Sequence, residues 1–183
     1  MTDLLYSAIF GGVALIVGVI VIVIGLAFYV WYSFVTYRTL QSMNYDKAWM
    51  AWIPYVKYYA LADVTKDEGE NTRVLGAFDV PNWLYQWVWV IPLVLNIPKV
   101  NLTGFVEWVV RVAFAVIFVA TYYTKIFAWH DGVSEDDKRG IGIASGIFEI
   151  IAVIIMTGWK KEDVIERPAK IETVETPENN DFN

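Results

Sequence analysis

The chain has 183 residues, of which 57% are hydrophobic and 16% aromatic, and its formal net charge is −6. Soluble domains are roughly half apolar, so this composition argues against a soluble enzyme. An acidic chain offers no basic surface for nucleic acid, and the absence of cysteine excludes disulfides and thiolate metal sites. Since His130 is the only histidine, we expect no metal and no cofactor.

The first apolar run covers residues 8–37, and no charged side chain lies between Asp3 and Arg38. A cleavable signal peptide has a basic start and an apolar core of roughly 7–15 residues, and this run fits neither condition. The run therefore predicts a permanent membrane-spanning helix. Gly11, Gly18 and Gly25 fall on one side of that helix, which favours close packing against another helix over glycines that simply face lipid.

Four further apolar segments follow, at residues 48–64, 83–98, 105–129 and 141–159. The first two of these are short and contain Pro54 and Pro92, which predict breaks because proline removes a helical hydrogen bond. The last two are long enough to span outright. We predict an all-α integral membrane protein with about five transmembrane or half-inserted helices, four crossings being the alternative. Residues 1–159 form the membrane domain, and the acidic tail 160–183 is predicted to be disordered.

The basic residues give an expected orientation. With five crossings and the N-terminus outside, seven Lys and Arg residues fall on the cytoplasmic side and four on the outer side. The outer four are Lys66, Arg73, Lys138 and Arg139. Cytoplasmic loops are enriched in Lys and Arg, so we expect a bacterial cytoplasmic membrane protein with its C-terminus in the cytoplasm.

Two stretches share Trp, Ile, Pro and Val at the same spacing, at residues 49–56 and 87–94. Together with residues 47–54, 80–92 and 124–127, this pattern resembles an uncharacterised family of small bacterial multi-pass membrane proteins, some members of which carry automatic signal peptidase names. The likeness covers about residues 38–132. Lys57 departs from it, because that family has Asn there. The resemblance implies a multi-pass architecture and no particular reaction.

Ionisable side chains within apolar segments are costly in lipid, so each needs a partner. Glu149 lies near the middle of segment 141–159, and we expect it in a protein interface with Lys57 as its first-choice neighbour. Glu107 and Arg111 have the i, i+4 spacing of a helical ion pair. Lys125 is expected to extend towards the lipid headgroups.

Gly142 and Gly146 form a GxxxG pattern ahead of Glu149, which predicts close packing of that face against another helix. Because a carboxylate follows on the same face, we interpret the face as a contact with another subunit.

These features predict a non-catalytic structural or accessory subunit of a larger membrane assembly, bound to the lipid bilayer and to membrane protein partners or further copies of itself. The alternative is a small ion- or proton-coupled transport component that uses Glu149. A Ser-Lys peptidase is disfavoured, because Ser42 and Met43 are followed by no matching proline and no β-rich catalytic domain.

Overall fold

A computed structural model describes residues 2–95, 104–160 and 165, with side chains from residue 10 onward. The fold is mostly helical. In chain order its elements are α1 (Thr2–Ser42), a 3-10 turn (Ala48–Trp52), α2 (Val56–Thr65), β1 (Asn71–Val74), β2 (Phe78–Pro81), α3 (Asn82–Trp87), α4 (Val90–Leu95), α5 (Gly104–Phe114), a π-helical segment (Ala115–Val119), α6 (Ala120–Asp131), α7 (Glu135–Ile147) and α8 (Glu149–Thr157).

Helix α1 contains the longer of two helices that are long and apolar enough to cross a membrane, Phe10–Ser42. Its side chains at residues 10–28 are all exposed, and the described body approaches this stretch only at its C-terminal end, where Leu26 and Trp52 line one groove. The burial changes near Trp31, and Ser33, Val35 and Thr36 are buried against the rest of the protein. The first part of α1 therefore projects from a packed body that the second part helps to form.

The second candidate span is Gly104–Asp131, which joins α5, the π-helical segment and α6. Its two ends differ in environment. Phe105 and Trp108 in α5 are exposed, whereas nearly every residue of α6 is buried. The helix ends at Gly132, whose positive φ of 63° is the left-handed conformation that commonly caps a helix.

The predicted fifth segment is not one straight helix. Helices α7 and α8 meet at Phe148 with their axes bent by 118°, so α8 folds back along the body. Together the two helices form either one broken membrane span or one re-entrant loop. The predicted segment is therefore not one continuous helix, and Glu149 is the first residue of α8 rather than the middle of a helix.

Residues 48–95 form short elements, and neither predicted segment in this region is a long helix. Pro54 lies in the turn that separates the 3-10 turn from α2. Pro92 is the third residue of α4, and the interruption of that segment lies before it, at Val88 and Trp89. The acidic loop forms an antiparallel hairpin in which Asn71 pairs with Pro81. Five crossings are not confirmed.

The core lies where α2, α6 and α8 meet the second part of α1. Its largest fully buried side chains include three tyrosines, Tyr85, Tyr122 and Tyr123, together with Leu61 and Met156. The buried rings contact one another edge to face, as Tyr85 and Tyr122 do at 5.2 Å between centroids.

The predicted acidic tail, residues 160–183, lies outside the described residues except for Lys160 and Ile165, so its predicted disorder is not tested. The backbone N–H of Ile165 donates to Ser42 O at 3.0 Å. Its side chain is buried beside Ala128 and Trp129.

Candidate functional site

A cluster of polar side chains surrounds the break between α7 and α8. Glu149 begins α8, and its carboxylate meets Lys57 and Tyr58 at the start of α2. Lys57 Nζ lies 3.1 Å from Glu149 Oε2, and the Tyr58 hydroxyl donates to Oε1. Lys57 is the neighbour that the sequence analysis favours for Glu149, and the expected contact is present.

Aromatic rings enclose the ammonium group. Lys57 Nζ lies 3.7 Å from the centre of the Tyr32 ring and 4.8 Å from that of Tyr58, which are cation–π distances. The Tyr32 hydroxyl hydrogen-bonds to the Tyr123 hydroxyl at 2.8 Å. Side chains from α1, α2, α6 and α8 thus form one connected group, which we call the Lys57–Glu149 cluster: Tyr32, Lys57, Tyr58, Tyr123 and Glu149.

The cluster is largely shielded from its surroundings. The side chain of Lys57 is 14% exposed and that of Glu149 is 27% exposed. Removal from water is costly for each charged group, and the opposite charge of its partner offsets that cost. Each charge is therefore balanced by the other, and both carboxylate oxygens accept a hydrogen bond. Such a group ties the helix break to three other helices.

Lys125 is the site residue for which the sequence prediction was wrong. Its side chain is fully buried and its Nζ lies 2.6 Å from Asp67 Oδ1, so it does not extend to the headgroups. The same carboxylate accepts the backbone N–H of Arg73 at 2.8 Å. The pair fixes the hairpin against α6, because Asp67 lies four residues before β1 and Lys125 lies within α6. Only the folded hairpin brings these two residues together.

The two glycine groups differ in what surrounds them. A Cβ on Gly142 would lie 2.9 Å from Thr124 Cα, and a Cβ on Gly146 would lie 2.5 Å from Ala115 O. These glycines therefore let α7 approach α6 and the π-helical segment closely. The predicted close packing is present, but it joins helices of one chain, and the interpretation of this face as a contact between subunits was wrong.

Gly11, Gly18 and Gly25 have nothing within 4 Å of a Cβ built on them. Along α1 this small-residue face has no described partner in the chain. Glu107 and Arg111 form their expected ion pair on α5, where their side chains are 32% and 42% exposed.

Sequence reasoning missed the tyrosines that complete the cluster. Tyr32 and Tyr123 lie in apolar stretches far apart in the chain, and nothing local distinguishes them from the other aromatic residues. It also missed the stacking of His130 on Trp159, whose ring centroids lie 3.9 Å apart. No group of three or more potential metal ligands lies together within the described ranges. Comparison of the chain with family models, with curated proteins and with solved structures found no match.

Proposed function

We propose that this protein is a non-catalytic accessory subunit of a membrane assembly, and that α1 is the element that binds its partner. The observation that carries the proposal is the exposure of α1 at residues 10–28 next to a well-packed body. Residues 10–30 measure about 30 Å at 1.5 Å per residue, which matches the hydrocarbon layer. The glycine face of this stretch is open, and small residues let two helices approach closely in lipid.

The contacts at the other end of α1 support an orientation for the body. Arg38 donates to Met156 O at 2.8 Å and to Trp159 O at 3.0 Å, so the ends of α1 and α8 lie together. The C-terminal end of α6 is close by, because His130 stacks on Trp159. The end of the molecule that contains these residues is called the base below.

The hairpin belongs to the same end. Besides the Lys125–Asp67 pair, the backbone N–H of Leu75 donates to Thr121 Oγ1 at 3.2 Å. The guanidinium of Arg139 is next to Gly76. Exposed charged side chains on this hairpin need water or headgroups around them. Two loops at the base contain basic residues: Lys66 and Arg73 in residues 63–79, and Lys138 and Arg139 in residues 130–140. The positive-inside rule therefore favours the cytoplasm for the base.

This orientation keeps the N-terminus outside and the C-terminus in the cytoplasm, but it moves two loops that the alternating assignment placed outside, residues 63–79 and 130–140, to the cytoplasmic side. Cysteine labelling tests it, since the chain has no cysteine of its own. We expect Thr2→Cys to react with an impermeant maleimide on intact cells, and Glu70→Cys to react only after the membrane is opened. Labelling of Glu70→Cys on intact cells contradicts the orientation.

The accessory role is tested by purification from native membranes in mild detergent. We expect a stoichiometric protein partner, or a second copy of this chain, to remain bound. Gly18→Leu should remove it, because a large side chain separates the helices. Gly12→Leu is the matched control, since Gly12 is also exposed on α1 but lies outside the glycine face. The proposal is contradicted if both variants retain the partner equally, or if the wild-type protein purifies as a monomer without a partner.

A second candidate is a proton- or cation-coupled transport component. It is favoured by the position of Glu149 at a helix break, because interrupted helices commonly carry ion sites in transporters. The ion pair with Lys57 weighs against it, since the carboxylate is already neutralised. In reconstituted vesicles, transport predicts a flux that Glu149→Gln abolishes while the fold is kept, and the accessory role predicts no flux in either protein.

A further inference from the structure

An apolar groove follows one face of α1 where the helix enters the body. It has a volume of about 510 Å³ and is lined by Leu26, Val30 and Phe34 of α1 and by Trp52 of the 3-10 turn. The Tyr29 hydroxyl donates to the carbonyl of Trp52, which holds the turn against α1 at this point. The groove is open to the side and almost wholly apolar, so it suits a hydrocarbon chain.

A polar pocket of about 400 Å³ continues the same face towards the base. Tyr37 and Gln41 lie on the next turns of α1 and line the pocket together with Asn44, Asp46 and Trp49. Gln41 Nε2 donates to the Tyr37 hydroxyl at 2.7 Å. The rings of Tyr37 and Trp52 lie 6.5 Å apart, so the pocket begins where the apolar groove ends.

The two cavities change from apolar to polar between Phe34, the last exposed apolar residue on this face of α1, and Tyr37. A bilayer changes in the same way between its acyl chains and its headgroups. The comparison of the cavities with the bilayer rests on the membrane position of α1 in the proposed function, but not on the accessory role. An amphiphile of matching orientation would have its chain beside Val30 and its headgroup beside Gln41.

The residues around the polar pocket narrow the class of headgroup. They include two tyrosines, two carboxamides and one carboxylate, but no Lys or Arg. A phosphate would therefore meet Asp46 without a counter-charge. Trp49 is 54% exposed, so its ring face is accessible to a ligand. The hydroxyl groups of a polyhydroxylated headgroup can donate to the carboxylate and exchange hydrogen bonds with the carboxamides. Its carbon skeleton can pack on the indole ring.

We propose that the groove and the pocket together bind a membrane lipid with an uncharged, hydroxyl-rich headgroup and no phosphate, such as a glycosyl diacylglycerol. One acyl chain lies in the groove between α1 and Trp52. The sugar lies in the polar pocket, with Asp46, Gln41 and Asn44 as hydrogen-bonding groups and Trp49 as the stacking surface.

The test uses the full chain in nanodiscs that contain galactosyl diacylglycerol, phosphatidylethanolamine and phosphatidylglycerol in equal amounts with identical acyl chains. Lipids that stay bound are identified by native mass spectrometry. We expect the galactolipid to be enriched at least about threefold over either phospholipid, the scale of one or two net hydrogen bonds. Asp46→Asn should keep this preference, because an amide still accepts a hydrogen bond.

Two variants with matched controls locate the site. Trp49→Leu removes the stacking surface and should abolish the enrichment, whereas Trp83→Leu, at another exposed tryptophan, should not. Val30→Trp fills the groove and should also abolish it, whereas Val19→Trp, on the exposed part of α1, should not. All four positions are exposed on the described surface, so the variants should fold.

Three results would overturn the proposal. Enrichment of phosphatidylethanolamine that is lost in Asp46→Asn identifies an ammonium site instead. Enrichment of phosphatidylglycerol identifies a phosphate site. No enrichment, or an enrichment that survives both Trp49→Leu and Val30→Trp, means that the cavities hold ordinary bilayer lipid.

Discussion

Replacement of Glu149 by leucine should destabilise the protein far more than replacement by glutamine. In Glu149→Leu the ammonium of Lys57 loses its counter-charge while it stays enclosed by the rings of Tyr32 and Tyr58. Breaking a fully buried ion pair in this way costs about 3–5 kcal/mol. The Glu149 side chain is 27% exposed, which admits some solvation, so we expect a loss of about 2–3 kcal/mol.

Glutamine has the same shape: its amide oxygen can accept from Lys57 Nζ and its NH2 group can donate to the Tyr58 hydroxyl oxygen, so both contacts are kept although the negative charge is lost. Glu149→Gln also removes the counter-charge, but Lys57 keeps a hydrogen-bond acceptor and its side chain is 14% exposed, so we expect a loss of about 1 kcal/mol, less than in Glu149→Leu. The double variant Lys57→Met with Glu149→Leu removes both charges. Its loss should be smaller than the sum of the two single losses by about 1–2 kcal/mol, because no charge is left unpaired.

The assay is unfolding of the purified protein in mixed micelles, followed by tryptophan fluorescence. Asp136→Asn is the control, since it breaks the Arg139 ion pair with a side chain that is 78% exposed and should cost less than about 0.5 kcal/mol. The reasoning is refuted if Glu149→Leu is no worse than Asp136→Asn, or if the two single losses in the cluster simply add.

Three further outcomes follow from other contacts. Asp67→Asn should cost about 2 kcal/mol and speed amide exchange in the hairpin, because it leaves the buried Lys125 without a counter-charge; unchanged exchange at residues 71–81 would count against this. Gly146→Ala should lower thermal stability, since its Cβ would lie 2.5 Å from a backbone carbonyl, whereas Gly11→Ala has open space and should leave stability unchanged; equal effects would contradict the packing. Burial alone would raise the pKa of Asp63, but hydrogen bonds from neighbouring side chains lower it below its ordinary value. That stabilisation is therefore complete above the pKa of the unfolded carboxyl, about 4, and is lost as the pH falls through the lower folded pKa; a denaturation profile that Asp63→Asn leaves unaltered in this acid range would contradict it.

The sequence allowed the long apolar helices and the Lys57–Glu149 contact to be predicted, because both follow from the cost of placing charge in an apolar surrounding. It did not allow the break at Phe148 to be predicted. No proline marks that break, and the close approach of Gly146 to Ala115 becomes visible only when α7 is packed. Lys125 was assigned to the headgroups because its partner, Asp67, comes near only after the hairpin has folded.

The central claim is that the glycine face of α1 binds another membrane protein chain, and site-specific photocrosslinking in native membranes tests it most directly. A photoreactive residue is introduced at Gly18, on the glycine face, and separately at Ile20, which lies about 200° away around the helix. Both positions lack a neighbour in the described part of the chain, so any protein that is captured comes from outside it. We predict one discrete crosslinked protein from position 18 and none from position 20. No crosslink at either position, or the same products from both, would contradict the claim.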